Sequence, residues 1–248
     1  MKLVKPEAVP KRSVLLYGPP KTGKTAGAAT APKPALLLNV DLPNASWFAH
    51  QREEGLYEIG YESFNDTLMV LGQHMKDGDL TFGGLLPEPA ETFIIDPVGE
   101  LYRRMMEDLS GRAVSPSLPT YQAVQVHLER FCRAFCESPL INFVMTAHEN
   151  PVQDESSGNV EMLLWAGTKS NSLHMSQKLM GMVDVVGYTA VVEKEGGGFE
   201  YVAQLVNGKG RRGGDRFDSL LEQGQVARAV NLTEWFNAGA KPEKEKAA

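Results

Sequence analysis

"LLYGPPKTGKTAGAAT", residues 15–30, decides the fold. An apolar run ends in glycine, two prolines follow, and Gly23-Lys24-Thr25 leads into small, helix-compatible residues. Gly18 to Thr25 matches G-x-x-x-x-G-K-[ST] at every fixed position, in the strand–loop–helix context that gives the pattern meaning. Glycines let the backbone wrap phosphate oxygens with N–H groups, and a helix N-terminus favours the negative charge. Pro19 and Pro20 donate no amide, so the cradle comes from Lys21, Thr22, Gly23, Lys24 and Thr25, bounded by Gly18 and Ala26. Lys24 is placed to reach the β- and γ-phosphates of ATP, and the Thr25 hydroxyl to bind Mg²⁺.

The rest of the chain repeats the same rhythm. "SVLLYG" (13–18), "PALLLNVD" (34–41), "ETFIIDP" (91–97) and "INFVMTAHEN" (141–150) are short apolar runs with polar ends, the form of buried parallel strands. Between them, 64–75, the segment from Val98, and 120–138 carry apolar residues at helical spacing. This alternation predicts an α/β fold with a mostly parallel, doubly wound sheet. Residues 151–173 turn polar and read as a long irregular connection. A methionine-rich helix, "HMSQKLMGMV", follows. Two strands, "DVVGYTAVVEK" and "FEYVAQLVNG", joined through "EGGG", predict a C-terminal antiparallel hairpin. The expected organisation is an arm (1–12), one core (13–236) and a disordered tail (237–248).

Bulk properties exclude several classes. The chain has 248 residues, enough for one α/β domain with a sizeable core. No run of eighteen apolar residues exists, so no membrane span is expected. The basic N-terminus lacks the apolar stretch of a secretory leader, and two cysteines fit a reducing compartment, so a cytoplasmic location is expected. Cys132 and Cys136 lie one helical turn apart without histidines at ligand spacing, which reads as buried thiols. Net charge of −6 argues against a uniformly basic nucleic-acid coat and leaves room for a local basic track.

Asp96 ends "TFIIDP", where a strand-end carboxylate supports Mg²⁺. The next residue is Pro97, so a catalytic base must come from elsewhere. Asp41, ending the second strand, is the first candidate, with Glu100 and Glu149 behind it. Thr146 and His148 end the fourth strand, where a polar group can touch the γ-phosphate or the attacking water. "VNGKGRRGGDRF" (206–217) holds Lys209, Arg211, Arg212 and Arg216 against a single acid, Asp215. These cations are candidates for an arginine finger, through Arg211 or Arg212, or for contacts to DNA phosphates. Trp165, within the polar connection, is a candidate for stacking on an unpaired base.

The order of phosphate loop, acid-ended second strand, "IIDP", "VMTAHE", variable loop and glycine-rich basic turn resembles the RecA-like core. More narrowly it resembles the short phage-encoded Sak-type single-strand annealing proteins, over about residues 10 to 222. The resemblance implies ATP and Mg²⁺ binding, ATP hydrolysis and single-stranded DNA binding. It also implies annealing during phage recombination in the cytoplasm of a bacterial host. It implies a homo-oligomer with ATP at the subunit interface and a single-strand-binding protein as companion. By position, His148 would couple the γ-phosphate to a DNA-binding loop at 151–173, and Arg211 or Arg212 would reach the neighbour's ATP. That loop carries only Lys169 as a cation against Asp154, Glu155 and Glu161. DNA contact would therefore be shared among Lys169, Lys209 and Arg216. Two other readings stay open: a small-molecule P-loop kinase, and a packaging or helicase-loading ATPase.

Overall fold

The computed structural model describes residues 12–41, 54–111, 116–153, 160–164, 172–194, 196–208, 210–216, 220–221 and 225–238. Its centre is strand β1 (Ser13–Gly18), in which Val14, Leu15, Leu16 and Tyr17 are fully buried. Side chains alternate across a strand, so Leu15 and Tyr17 enter one apolar layer while Val14 and Leu16 enter the other. Burial on both faces explains why the strand reads as a continuous apolar run.

After β1 the chain forms α1 (Lys24–Ala29), β2 (Ala35–Asn39) and β3 (Leu56–Gly60). A π-helical segment (Phe64–Met69) then leads into α2 (Val70–Asp77). Next come β4 (Thr92–Asp96), α3 (Val98–Ser110), α4 (Leu118–Cys136) and β5 (Asn142–Gln153). The chain continues through β6 (Val160–Leu164), α5 (Ser172–Met182), β7 (Val185–Glu193) and β8 (Phe199–Gln204). It closes with β9 (Gly214–Asp215), β10 (Ala227–Ala229) and α6 (Leu232–Ala238). Among the described residues one sheet runs β10-β8-β7-β1-β5-β4-β2-β3, with β6 paired to β5 and β9 to β7. Pairing is parallel from β7 through β1, β5, β4 and β2 to β3, and antiparallel at β8, β9, β10 and β6. The mostly parallel α/β sheet with a C-terminal antiparallel hairpin is therefore as the sequence predicts.

One layer of the core joins the sheet to α2–α5, with Phe93 stacked on Phe135 at 4.4 Å and close to Phe131 and Phe143. The other joins it to α1 and α6, around the buried Trp235. Each large buried side chain contributes about 1.5–3 kcal/mol by leaving water. The caps are local. Ser63 Oγ accepts from Asp66 N at 3.0 Å, and α2 stops where Gly78 turns left-handed at φ 74°.

Two expectations are corrected. The polar connection after residue 150 is not irregular throughout: β5 continues to Gln153 and pairs antiparallel with β6, Glu149 opposite Leu164. Backbone hydrogen bonding to a returning strand satisfies a polar segment without needing an apolar face. The edge strand β3 also went unforeseen, since it is only half-buried beside β2. Trp165, Lys169 and Lys209 lie outside the described residues, as do the arm before Arg12 and the tail after Ala238. Among the described residues no helix is long and apolar enough to cross a membrane.

Candidate nucleotide-binding site

The parallel strands end together at one edge of the sheet, where α/β proteins place their ligands. There a cleft of about 400 Å³ is lined by Lys21, Gly23, Lys24, Thr25, Ala26, Asn39, Asp41, Asp96, Pro97, His148 and Tyr201. The phosphate loop forms its floor. Gly18, at φ 152°, leaves β1 so close to β7 that a Cβ would lie 2.7 Å from Thr189 Oγ1 and 2.8 Å from its carbonyl oxygen. Gly23 turns left-handed at φ 78° to start α1, and its own Cβ would sit 2.3 Å from Cγ of Tyr201. Lys21 holds φ 64°, a conformation that costs a non-glycine residue free energy and recurs at ligand sites. Thr22 braces the loop, its hydroxyl 2.8 Å from Pro19 O and 2.7 Å from Thr189 Oγ1.

Lys24 is only 7% exposed, and its ammonium donates to Gly18 O at 3.1 Å and Pro19 O at 2.5 Å. Burial lowers its pKa, while the charges of Asp96 and Glu149 oppose that shift. Beside it, Thr25 Oγ1 donates to Asp96 Oδ2 at 2.6 Å, and Thr146 Oγ1 donates to the other carboxylate oxygen. The three side chains meet because β5 lies between β1 and β4 in the sheet. This donor set suits Mg²⁺, which prefers oxygen ligands and combines one or two carboxylates with substrate phosphates. Among the described residues no cluster of three or more His, Cys, Asp or Glu would hold a metal by itself. The arrangement fits an ion that arrives with the nucleotide.

The three candidate bases differ in their surroundings. Asp41 lines the cleft, and its pKa is raised by lost hydration and by the charges of Asp96 and Glu100. Glu100 is held low, because Arg103 Nε donates to it at 2.9 Å and Arg104 stands beside it. Glu149 accepts from Tyr188 OH at 2.8 Å. His148 lines the cleft, with its pKa lowered by lost hydration and by the Lys24 ammonium, so the ring is neutral at pH 7.

The basic turn does not form one patch. Arg211 lies with its guanidinium carbon 4.3 Å from the centre of its own Tyr188 ring. Arg212 N donates to Tyr17 OH, which in turn donates to Arg212 O, both at 2.7 Å. Arg211 thus stands near the nucleotide end of β7 without lining the cleft, whereas Arg212 lines a second cavity together with Asp184 and Arg216. Arg216 is at the other end, donating to Asp184 Oδ1 at 3.0 Å and to the carbonyls of Gly181 and Val183 at 3.3 Å. The structure brings together Gly23, Lys24, Thr25, Asp41, Asp96 and His148, and adds Asn39 and Tyr201, which the sequence did not flag. Asn39 could have been found as the polar end of "LLLN"; Tyr201 carries no local signal.

Fold and cleft together define a P-loop nucleotide-binding α/β protein. A family model described as an AAA domain matches residues 10–217, and the chain belongs to that family. It is an AAA-type P-loop ATPase domain. Among solved structures, it is similar to the flagellar accessory protein FlaH from Methanocaldococcus jannaschii. Identity is 10% over 81% of this chain and 80% of that one, with a TM-score of 0.41. It is also similar to the KaiC-like protein PH0186 from Pyrococcus horikoshii OT3. Identity there is 12% over 79% of each chain, with a TM-score of 0.42. No curated protein matches the chain.

Proposed function

We propose that the protein is a Mg²⁺-dependent ATPase that acts on single-stranded DNA and promotes its annealing during phage recombination. One observation carries the ATPase reading: the hydroxyls of Thr25 and Thr146 converge on Asp96 in a cleft shared with Lys24, Asp41 and His148. Thr25 and Asp96 would hold Mg²⁺, which would supply charge neutralisation for the transferred phosphate. Lys24 holds the β- and γ-phosphates as a point charge. Asp41 takes a proton from water as its oxygen attacks the γ-phosphorus, and ADP leaves as the phosphoanhydride bond breaks. Thr146 fixes the Asp96 carboxylate, and neutral His148 faces the reacting end.

The DNA reading draws on the sequence resemblance to Sak-type annealing proteins, and β5 supports it. That strand carries Thr146 and His148 at the cleft and continues without a break into the β5–β6 hairpin. A change at the γ-phosphate therefore has a direct covalent route to the segment after residue 150. In this reading Lys169, Lys209 and Arg216 share the DNA contact. Subunits assemble as a homo-oligomer, with Arg211 or Arg212 reaching a neighbour's ATP. The cation–π contact that holds Arg211 is worth about 0.5–2 kcal/mol, small enough to be exchanged for a phosphate. A small-molecule kinase fits less well, because the described lining of the cleft contains lysines and no arginine to close over an acceptor.

The test is ATP hydrolysis with and without single-stranded oligonucleotides at low and moderate salt. Stimulation that fades as salt rises is expected, since phosphate contacts release counterions. A rate indifferent to single strands at both salts refutes the DNA part of the proposal.

A further inference from the structure

The hairpin of β7 and β8 reaches past the end of β1. Tyr17 of β1 lies opposite Tyr188, yet β7 continues to Glu193, and Tyr201 on β8 stands opposite Val191. Tyr201 is thus lifted above the sheet edge, beside the phosphate loop. Its ring lies directly against Gly23, at a position where any Cβ would strike the ring carbons. The residue is nevertheless 47% exposed, so the rest of the ring surface is open. It also borders the same cleft as Lys24 and Asp96.

The sheet order gives this cleft a direction. Tyr201 is on β8, two strands to one side of β1, and Asp96 is on β4, two strands to the other. The aromatic side and the carboxylate side therefore flank the loop, the Tyr201 ring against Gly23 and Asp96 against Thr25. A nucleoside triphosphate has the same polarity, with the γ-phosphate and its metal at one end and a flat aromatic base at the other. Phosphates held by Lys24 and Thr25 and directed toward Asp96 leave the base on the Tyr201 side.

We propose that Tyr201 is the base-stacking residue of the site, taking one face of the nucleobase on its ring. The inference rests on the nucleotide-site reading above and adds the residue that separates a nucleotide from bare phosphate. Stacking uses the π face that every base presents, so it favours nucleotides over inorganic polyphosphate more than one base over another. Glycine at position 23 follows from the same contact, since the ring leaves no room for a side chain there.

The experiment measures equilibrium binding of ATP, GTP and inorganic tripolyphosphate to wild type, Tyr201→Phe, Tyr201→Leu and Tyr201→Ala. Leucine keeps an apolar cover on Gly23 while removing the aromatic face, so a folding defect in the alanine variant does not decide the result. Stacking predicts that Leu and Ala each weaken ATP and GTP about 10-fold and leave tripolyphosphate within about twofold, with Phe close to wild type. Equal losses for tripolyphosphate and ATP would overturn the inference and make Tyr201 a packing residue of the loop. Unchanged ATP affinity in Tyr201→Leu would also overturn it. A wild type that binds none of the three would remove the nucleotide-site reading itself, and this inference with it.

Discussion

Asp41→Asn should separate catalysis from binding at this site. The substitution keeps the shape of the side chain and removes a charge that faces Asp96 and Glu100, whose own charges raise the Asp41 pKa. Less negative charge near the phosphates leaves ATP affinity equal or slightly tighter. Turnover should fall about 10²–10⁴-fold, the usual contribution of a positioned general base, or roughly 3–5 kcal/mol of barrier. Asp41 is preferred because it lines the cleft, whereas Arg103 engages Glu100 and Glu149 accepts from Tyr188. The pH profile gives the sign. A base must be ionised, so the wild-type rate declines as pH falls through the Asp41 pKa, at a midpoint above the ordinary 3.8. Asp41→Asn should lose that acid limb and keep a low, flatter rate. The assay is single-turnover hydrolysis of saturating ATP between pH 4 and 9, on wild type, Asp41→Asn, Glu100→Gln and Glu149→Gln. An Asp41→Asn rate within about threefold of wild type, or a larger loss in Glu149→Gln, refutes the assignment.

Two further substitutions test how the site is supported. Gly18→Ala would force a methyl group to within 2.8 Å of the Thr189 carbonyl oxygen. It should cost about 1–3 kcal/mol of stability, read as a lower midpoint in urea, together with weakened nucleotide binding. Arg216→Ala removes one partner of Asp184, which also accepts from Ser13 at the end of β1 far from the loop. Because Arg216 is half exposed and Asp184 keeps Ser13 as a donor, about 0.5–1 kcal/mol of stability should be lost while ATP affinity stays at the wild-type value; a midpoint in urea that does not move would show that the contact is not structural.

Legibility followed burial. β1, β2, β4 and the first half of β5 stood out because central parallel strands are apolar on both faces. The sequence placed the end of the second strand at Asp41, two residues past its end at Asn39, and did not show that β5 runs on past "TAHE" to Gln153. The nucleotide loop was legible for a different reason, since phosphate binding constrains Gly18, Gly23, Lys24 and Thr25 by backbone geometry as well as chemistry. The edge strand β3 was not, because half-exposed residues such as Tyr57 and Glu58 carry no clear period. β6 hid inside a polar segment whose pairing is made by backbone groups. Tyr201 was invisible for a third reason. Alternation along "FEYVAQ" makes it a surface tyrosine, and only the path of β7 past β1 brings its ring onto Gly23. The basic turn was conspicuous in sequence yet divided in space, because β9 runs down β7 and carries Arg216 away from Arg211.

The most direct test of the central claim compares ATP binding and hydrolysis by wild type and Lys24→Ala, each with and without Mg²⁺. Lys24 is buried in its loop and donates to the Gly18 and Pro19 carbonyls, so a urea midpoint for Lys24→Ala first establishes that the variant folds. The account predicts Mg²⁺-dependent turnover in wild type, and a folded Lys24→Ala that hydrolyses nothing measurable and binds ATP at least about 10-fold more weakly. A folded Lys24→Ala that turns over ATP at the wild-type rate would contradict it.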